Sequence, residues 1–465
     1  MLGFIGFALV LVVGIHLYLW KRLVRDTMRP GAGRKVAGFA MLLVALLIPA
    51  TLIFVRNGYV QWLAWPGYLW LALMFYLLVA LVLLEIPRLV VNLVWRAVGR
   101  RDREPASLHA ARSTGLGGGT SNPTTSDNAD PLAEDDATAK NDVATDNGEG
   151  ASRSKAAAGG GTASPAGTAK GSAPGGNAAD EKAADDKAGI GRRLLLARGA
   201  AIFAGLTAAS VTGYGVKTAL GGPRLDRVQI PMAKLPRAMD GTRLAVVSDI
   251  HLGPLTGARH MGRIVEMINS VDADVVCIVG DLVDGSVAEL GRFAAPLADV
   301  RSKQGAYFVT GNHEYYSGFE QWIDEVDRLG VRPLRNERLE IVTRGGAFDL
   351  AGVNDLGGTA VGDGPNFDAA LGNRDGAKPV VLMAHQPVVA RDAARFGVDL
   401  QVSGHTHGGQ MAPFNYLVKL QQPVVSGYGE VDGVPVYVTN GAGFWGPPVR
   451  VGAPPQVTLI ELKAP

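Results

Sequence analysis

Five short blocks in the second half of the chain carry the residue types that bind divalent metals. Asp249-Ile250-His251, Gly280-Asp281, Gly311-Asn312-His313-Glu314, His385 and Gly404-His405-Thr406-His407 offer carboxylate, amide-oxygen and imidazole donors. Hard and borderline divalent cations take such donors, and a catalytic metal keeps a coordination position open for water. No thiolate accompanies them. The only cysteine, Cys277, lies inside the apolar run 275–279, where its role is packing, and no intrachain disulfide can form. Any one block is weak, because Asp-x-His or His-x-His arises easily by chance and a single histidine is more often a core or surface residue. Five such blocks, each at the end of an apolar run, are not a chance arrangement.

Positioning these donors requires strands that end together. The runs 244–247, 275–279, 307–310, 380–383, 400–402, 436–438 and 457–460 are short and rich in β-branched residues, and they alternate with helical stretches such as 264–269 and 319–329. That alternation is the pattern of α/β layers. Open α/β sheets build their sites on the loops that follow the strands, which is where the five blocks fall. Residues 223–465 are expected to form one domain, long enough to bury a sizeable core.

The order and content of these blocks resemble the calcineurin-like metallophosphoesterase superfamily. With apolar N-terminal spans, the ending Gly404-His405-Thr406-His407-Gly408-Gly409-Gln410 is most similar to the transmembrane branch of that superfamily. The resemblance runs from about residue 243 to the C-terminus and excludes the spans. It implies a four-layer α/β/β/α sandwich holding two divalent metal ions, with manganese, iron and zinc all compatible. Carried over residue by residue, Asp249, His251 and His407 hold one metal, Asn312, His385 and His405 the other, and Asp281 bridges both. One carboxylate between two cations keeps them about 3.5–4 Å apart, close enough to share an attacking hydroxide. His313 matches the family's catalytic histidine, which stabilises the phosphoryl group and protonates the leaving oxygen.

The activity so implied is metal-dependent hydrolysis of phosphate esters, phosphodiesters foremost, by a phosphodiesterase or phosphatase. The substrate is a soluble phosphate ester or a lipid-linked, cell-envelope one. The competing reading is a membrane sensor or scaffold that binds a phosphorylated ligand without turnover. A decayed enzyme usually loses at least one metal ligand, and this chain retains all seven. The chain also departs from the family. His385-Gln386-Pro387-Val388 replaces the His-x-Pro-Asp of many relatives, and 439–450 lacks the Ser-Arg-Gly turn of several. Arg450 reads either as an anion contact or as a solvated surface residue. Phe444 and Trp445 read as apolar contacts to substrate or bilayer, or equally as core. Asp284 either orients a ligand histidine or caps a loop, and Glu314 reads as a cap of the segment after it.

The first hundred residues form a membrane domain by hydropathy, with spans at about 2–20, 36–55 and 65–84. Lys21, Arg22, Arg25, Arg29, Arg34 and Lys35 separate the first two, and Arg88, Arg96, Arg100, Arg101 and Arg103 follow the third. The positive-inside rule makes both stretches cytoplasmic. Residues 101–190 are poor in large apolar residues and read as a disordered linker, a flexible tether. A fourth span is expected at 191–222. Its flank Gly191-Arg192-Arg193-Leu194 is explained equally by a twin-arginine export signal and by an ordinary basic flank. Four crossings from an outer N-terminus place residues 223–465 outside the cytoplasm, anchored to the cell membrane. A formal net charge of +2 over 465 residues supplies no global basic field, so no nucleic-acid partner is expected, nor a protein partner.

Overall fold

In a computed structural model, the residues described are 2–56, 58–101, 178–343 and 345–465. Residues 102–177, most of the expected linker, lie outside them. Four long helices come first in sequence: α1 (Leu2–Leu19), α2 (Ala32–Arg56), α3 (Ala64–Arg101) and α4 (Ala178–Leu220). Among the described residues, three stretches are long and apolar enough to cross a membrane: Ala32–Val55, Gln61–Val91 and Arg193–Leu220. Their outward faces expose Leu42, Leu43, Leu46, Phe54, Leu83, Leu195 and Ile202, side chains that water does not accommodate in such numbers. Their inward faces bury Ile48, Ala72, Leu77, Ala204 and Ala208 in one cluster with Leu19 of α1. α4 begins at Ala178, inside the stretch whose composition reads as linker.

Two six-stranded sheets follow. The first has the order β1 (Arg224–Pro231), β12 (Gln456–Lys463), β2 (Thr242–Val247), β3 (Val275–Val279), β4 (Ala306–Val309), β5 (Val331–Pro333). The second runs β10 (Gly427–Val431), β11 (Val434–Val438), β9 (Leu400–Ser403), β8 (Val380–Met383), β7 (Gly346–Gly352), β6 (Glu337–Thr343). β2, β3 and β4 pair in parallel, as do β7, β8, β9 and β11.

Strand periodicity builds the layers, because alternate side chains leave opposite faces. Leu244, Val246, Val275, Cys277 and Val279 pack between the sheets against Leu350, Val381, Met383 and Val402. Their neighbours Ala245, Val247, Val276 and Ile278 face the helices α5 (Ala258–Asn269), α6 (Val287–Ala294) and α8 (Phe319–Arg328), meeting Ile264, Leu290 and Trp322. The outer face of the second sheet packs Leu382, Val436 and Val438 on Phe367, Val389 and Ala393. The result is the expected α/β/β/α sandwich. Cys277 sits mid-core as a free thiol, and burial pushes it up to about 12.

Five strands escaped the hydropathy pattern. β1 and β6 alternate charged with apolar residues (Arg224, Asp226, Arg227; Glu337, Arg338, Glu340), β7 and β10 are rich in small residues, and β5 is three residues long. β1, β5, β6 and β10 are edge strands, which tolerate such compositions because one backbone edge meets solvent, whereas β7 is interior and is ordered by its pairing with β6 and β8.

Candidate metal centre

Every block lies at the C-terminal end of a parallel strand. Asp249 and His251 follow β2, Asp281 follows β3, Asn312 opens a short helix α7 (Asn312–Ser317) after β4, His385 follows β8, and His405 and His407 follow β9. The chain turns sharply at these points. Asp249, His251, Asp281, His405 and His407 all have positive φ, between 47° and 71°, a region that disfavours L-residues with a Cβ. Such strain persists only where surrounding structure over-determines it, and it clusters at functional sites. Gly280 is the hinge between β3 and Asp281. Its φ is +77°, and a Cβ there would lie 2.6 Å from the Gly311 nitrogen and 2.7 Å from His385 Nδ1.

The donors converge in two adjoining groups. In one, His251 Nε2 is 3.0 Å from His407 Nε2, and His407 Nε2 is 3.2 Å from Asp249 Oδ1. In the other, His385 Nε2 lies 3.2 Å from Asp281 Oδ2 and 3.3 Å from His405 Nδ1. Asp281 Oδ2 is also 3.8 Å from His251 Nε2, so one carboxylate oxygen stands between the groups. Within each group the donor atoms fall inside 4.8 Å of one another. Two nitrogens about 2.1 Å from one ion, at a right angle, are about 3.0 Å apart, the spacing of His251 and His407. Asn312 Oδ1 is buried with no hydrogen-bond partner, an acceptor whose desolvation is uncompensated unless a cation or donor meets it. These residues fit divalent cations.

Charge is arranged to match. Burial drives His405 down to about 3 and, with Arg450 nearby, holds His407 well below its ordinary value. Both are therefore neutral donors, the form a metal requires. Burial raises the Asp249 carboxyl. The same burial opposes ionisation of Asp281, but the charges of His385, His313 and His251 prevail and draw it well below the usual carboxylate range.

Supporting contacts fix the donors from behind. Asp284 Oδ1 accepts from His251 Nδ1 at 2.8 Å and from His313 Nδ1 at 2.7 Å, so it orients histidines rather than merely capping a loop. His385 Nδ1 donates to the Val279 carbonyl at 2.8 Å. With Nδ1 engaged on these three rings, Nε2 is the atom that faces the centre. His313 Nε2 lies 3.9 Å from Asp281 Oδ2. Burial lowers its basicity, but Asp281 and Asp284 outweigh that and raise it to about 9. Glu314 is wholly buried, and its carboxylate takes the backbone N–H of Asp281 (2.9 Å), Leu282 (2.8 Å) and Gly311 (2.6 Å). It ties the second block to the third, a larger task than capping its own helix.

Arg450 is neither a surface residue nor an open anion contact. It is fully buried, donating to the carbonyls of Gly443, His407 and Asn440, with Nη2 3.1 Å from His407 Nδ1. Phe444 is buried whereas Trp445 is 58% exposed, so the two aromatics part company. Asp355 escaped notice in the sequence. It is buried just past β7, its two oxygens each 3.1 Å from Gln386 Nε2, and its charge bears on His385. Recognising 346–352 as a strand would have put it at a strand end like the others.

Residues 242–409 match the calcineurin-like phosphoesterase family. A transmembrane protein with metallophosphoesterase domain from Danio rerio is 38% identical over 272 residues, 56% of this chain and 62% of that protein. An uncharacterized metallophosphoesterase of Helicobacter pylori is 36% identical over 259 residues, 54% of this chain and 68% of its own length. One from Aquifex aeolicus is 34% identical over 246 residues, 52% of this chain and 92% of its own. The chain thus spans about three fifths of the zebrafish relative and nearly all of the Aquifex one.

Proposed function

Because the chain belongs to the calcineurin-like metallophosphoesterases, we propose that it hydrolyses phosphate esters, phosphodiesters foremost, at a two-metal centre on the outer face of the cell membrane. The observation that carries this reading is the position of Asp281 Oδ2 between the two donor groups. Asp249, His251 and His407 are assigned to one ion, Asn312, His385 and His405 to the other, and Asp281 to both. Manganese, iron or zinc, when bound, would supply Lewis-acid stabilisation of the phosphoryl oxygens and lower the pKa of the attacking water.

The chain's own groups do the rest. Asp284 holds the Nδ1 side of His313, which leaves Nε2–H turned to the site to neutralise a phosphoryl oxygen and to protonate the departing alkoxide. Water adds its hydroxide to phosphorus, the P–O bond to the alcohol breaks, His313 supplies the alcohol's proton, and the proton released by the water restores His313. Counting the span expected at 2–20 with the three stretches at 32–55, 61–91 and 193–220, four crossings with the basic stretches 21–35 and 88–103 inside bring this domain to the outer face.

The test is full-length protein in detergent, loaded with manganese and offered bis(p-nitrophenyl) phosphate and p-nitrophenyl phosphate. Turnover of the diester, lost at least a thousandfold in Asp281→Asn, is expected. Metal-loaded protein inert toward both esters would leave the sensor reading in its place.

A further inference from the structure

The loop that follows the last ligand turn is largely apolar and exposed, its one charge being the exposed Lys419. From Met411 to Leu420 it exposes Phe414, Tyr416, Leu417 and Leu420, the last by 84%, and Trp445 stands exposed beside it. Gln410 joins the two elements: its side chain accepts from the Trp445 N–H at 3.0 Å and donates to the Trp445 carbonyl at 3.0 Å. Soluble proteins seldom expose such a contiguous patch.

What borders the patch identifies its occupant. It is continuous with the packing of the catalytic domain on the membrane helices, where Val449 is buried among Ala72, Leu77, Ala204 and Ala208, with Met411 and Val451 against the same cluster. The Phe414 ring meets Phe75 of α3 edge-on at 6.4 Å, and a Cβ on Gly446 would lie 3.8 Å from the Tyr68 ring. The apolar stretch Gln61–Val91, a short turn of helix continued by α3, has 31 residues. At about 1.5 Å per residue it exceeds the ~30 Å hydrocarbon core, so roughly 20 residues lie within it. The ion pair of Glu85 with Arg22 marks one polar boundary, and counting back about 20 residues sets the opposite edge near Trp65, with Tyr68 about one turn inside it, both residue types suited to that level. Phe75 then lies well inside the hydrocarbon. Phe414 is beside it, and Trp445 next to Gly446 sits at the boundary. The Trp445 ring is also 6.1 Å from the His313 ring. The site's candidate acid is therefore one aromatic ring away from headgroup level.

We infer that the 411–420 loop and Trp445 are seated in the bilayer, and that the metal centre takes its phosphate ester from a membrane-resident amphiphile. The phosphate enters at headgroup level while the apolar part stays among the lipids. This deepens the hydrolase reading and, for its substrate half, rests on it.

The test uses the full chain in phosphatidylcholine–phosphatidylglycerol vesicles. Bimane is placed on Leu420→Cys and, as a reference, on Arg301→Cys, which is exposed just before β4 at the strand end opposite the site. Cys277 is buried and takes no label. Brominated lipids should quench the label at 420 and not at 301. In parallel, Leu417→Glu with Leu420→Glu should cut hydrolysis of a dipalmitoyl lipid bearing a nitrophenyl phosphodiester headgroup at least tenfold, and leave soluble bis(p-nitrophenyl) phosphate within twofold. Equal quenching at both positions overturns loop insertion. An equal effect on both substrates, or none on either, overturns the lipid substrate. If the unsubstituted protein cleaves neither ester while 420 is quenched, the hydrolase reading fails with its lipid substrate, and insertion stands.

Discussion

Gly280→Ala isolates what the strained turn after β3 does for the metal centre. The added methyl meets two penalties. A residue with a Cβ held at a φ of +77° costs about 1–2 kcal/mol. The methyl would also press on the Gly311 backbone at 2.6–2.7 Å and on His385 Nδ1 at 2.7 Å. Neither neighbour yields easily, since Gly311 N–H is tied to Glu314 and His385 Nδ1 to the Val279 carbonyl. Overpacking of this kind costs about 1–3 kcal/mol. The sum, about 2–5 kcal/mol, lies within the stability of an ordinary domain, so the variant folds. Its relief is to move the β3 and β4 loops apart, which separates Asp281 from Asn312 and His385. Thermal denaturation of the solubilised protein should show a lowered midpoint, by about 2–4 °C for each kcal/mol. Calorimetric titration should show manganese affinity down at least tenfold. The companion substitution Gly262→Ala, in the helix α5 with nothing within 4 Å of its Cβ, should be neutral or stabilising by up to about 1 kcal/mol. A Gly280→Ala protein with the midpoint and manganese affinity of the Gly262→Ala control would refute the reasoning.

Asp284→Asn should lower manganese affinity or turnover by about 10- to 100-fold, because one oxygen serves both His251 and His313; unchanged values in both assays would exclude an orienting role. Manganese added at a hundred times its dissociation constant should stabilise the metal-free protein by about 2.7 kcal/mol, read as a raised melting midpoint that a chelator reverses and that Asp281→Asn abolishes. Cys277, whose thiol burial pushes up to about 12, should resist dithionitrobenzoate at pH 8 in the native protein and react once guanidinium unfolds it; rapid native modification would contradict its place between the sheets.

The donors of the site were legible in the sequence because two signals coincide at each of them. Asp249, Asp281, Asn312, His385 and His405 are metal-binding residue types, and each follows a β-branched run that reads as a strand without help from its neighbours. The two-sheet core was legible for the same reason, since Val275 to Val279 or Val380 to Met383 has no other stable use than burial on both faces. Asp355 satisfies the first signal and was missed on the second. Its strand β7 reads Gly-Ala-Phe-Asp-Leu-Ala-Gly, where the small residues dilute the hydropathy while the pairing with β6 and β8 supplies the order.

Arg450 shows a different limit. Its neighbours Pro447, Pro448 and Val449 say nothing of burial, and a guanidinium is ordinarily exposed. It is enclosed because carbonyls from residues far apart in sequence, His407, Asn440 and Gly443, converge on it. A buried charge keeps its ionised form only when such acceptors are assembled around it, and that convergence is a property of the fold. The exposure of Trp445 is of the same kind. Phe444 and Trp445 are adjacent and chemically alike, yet one is buried and the other is exposed beside His313. What separates them is the course of the 441–450 loop between the turn that carries His405 and His407 and the apolar helix α3. The turn that brings His405 and His407 to the candidate centre continues directly into the exposed 411–420 loop, so on the proposed reading one stretch of chain sets both position in the membrane and geometry of the centre.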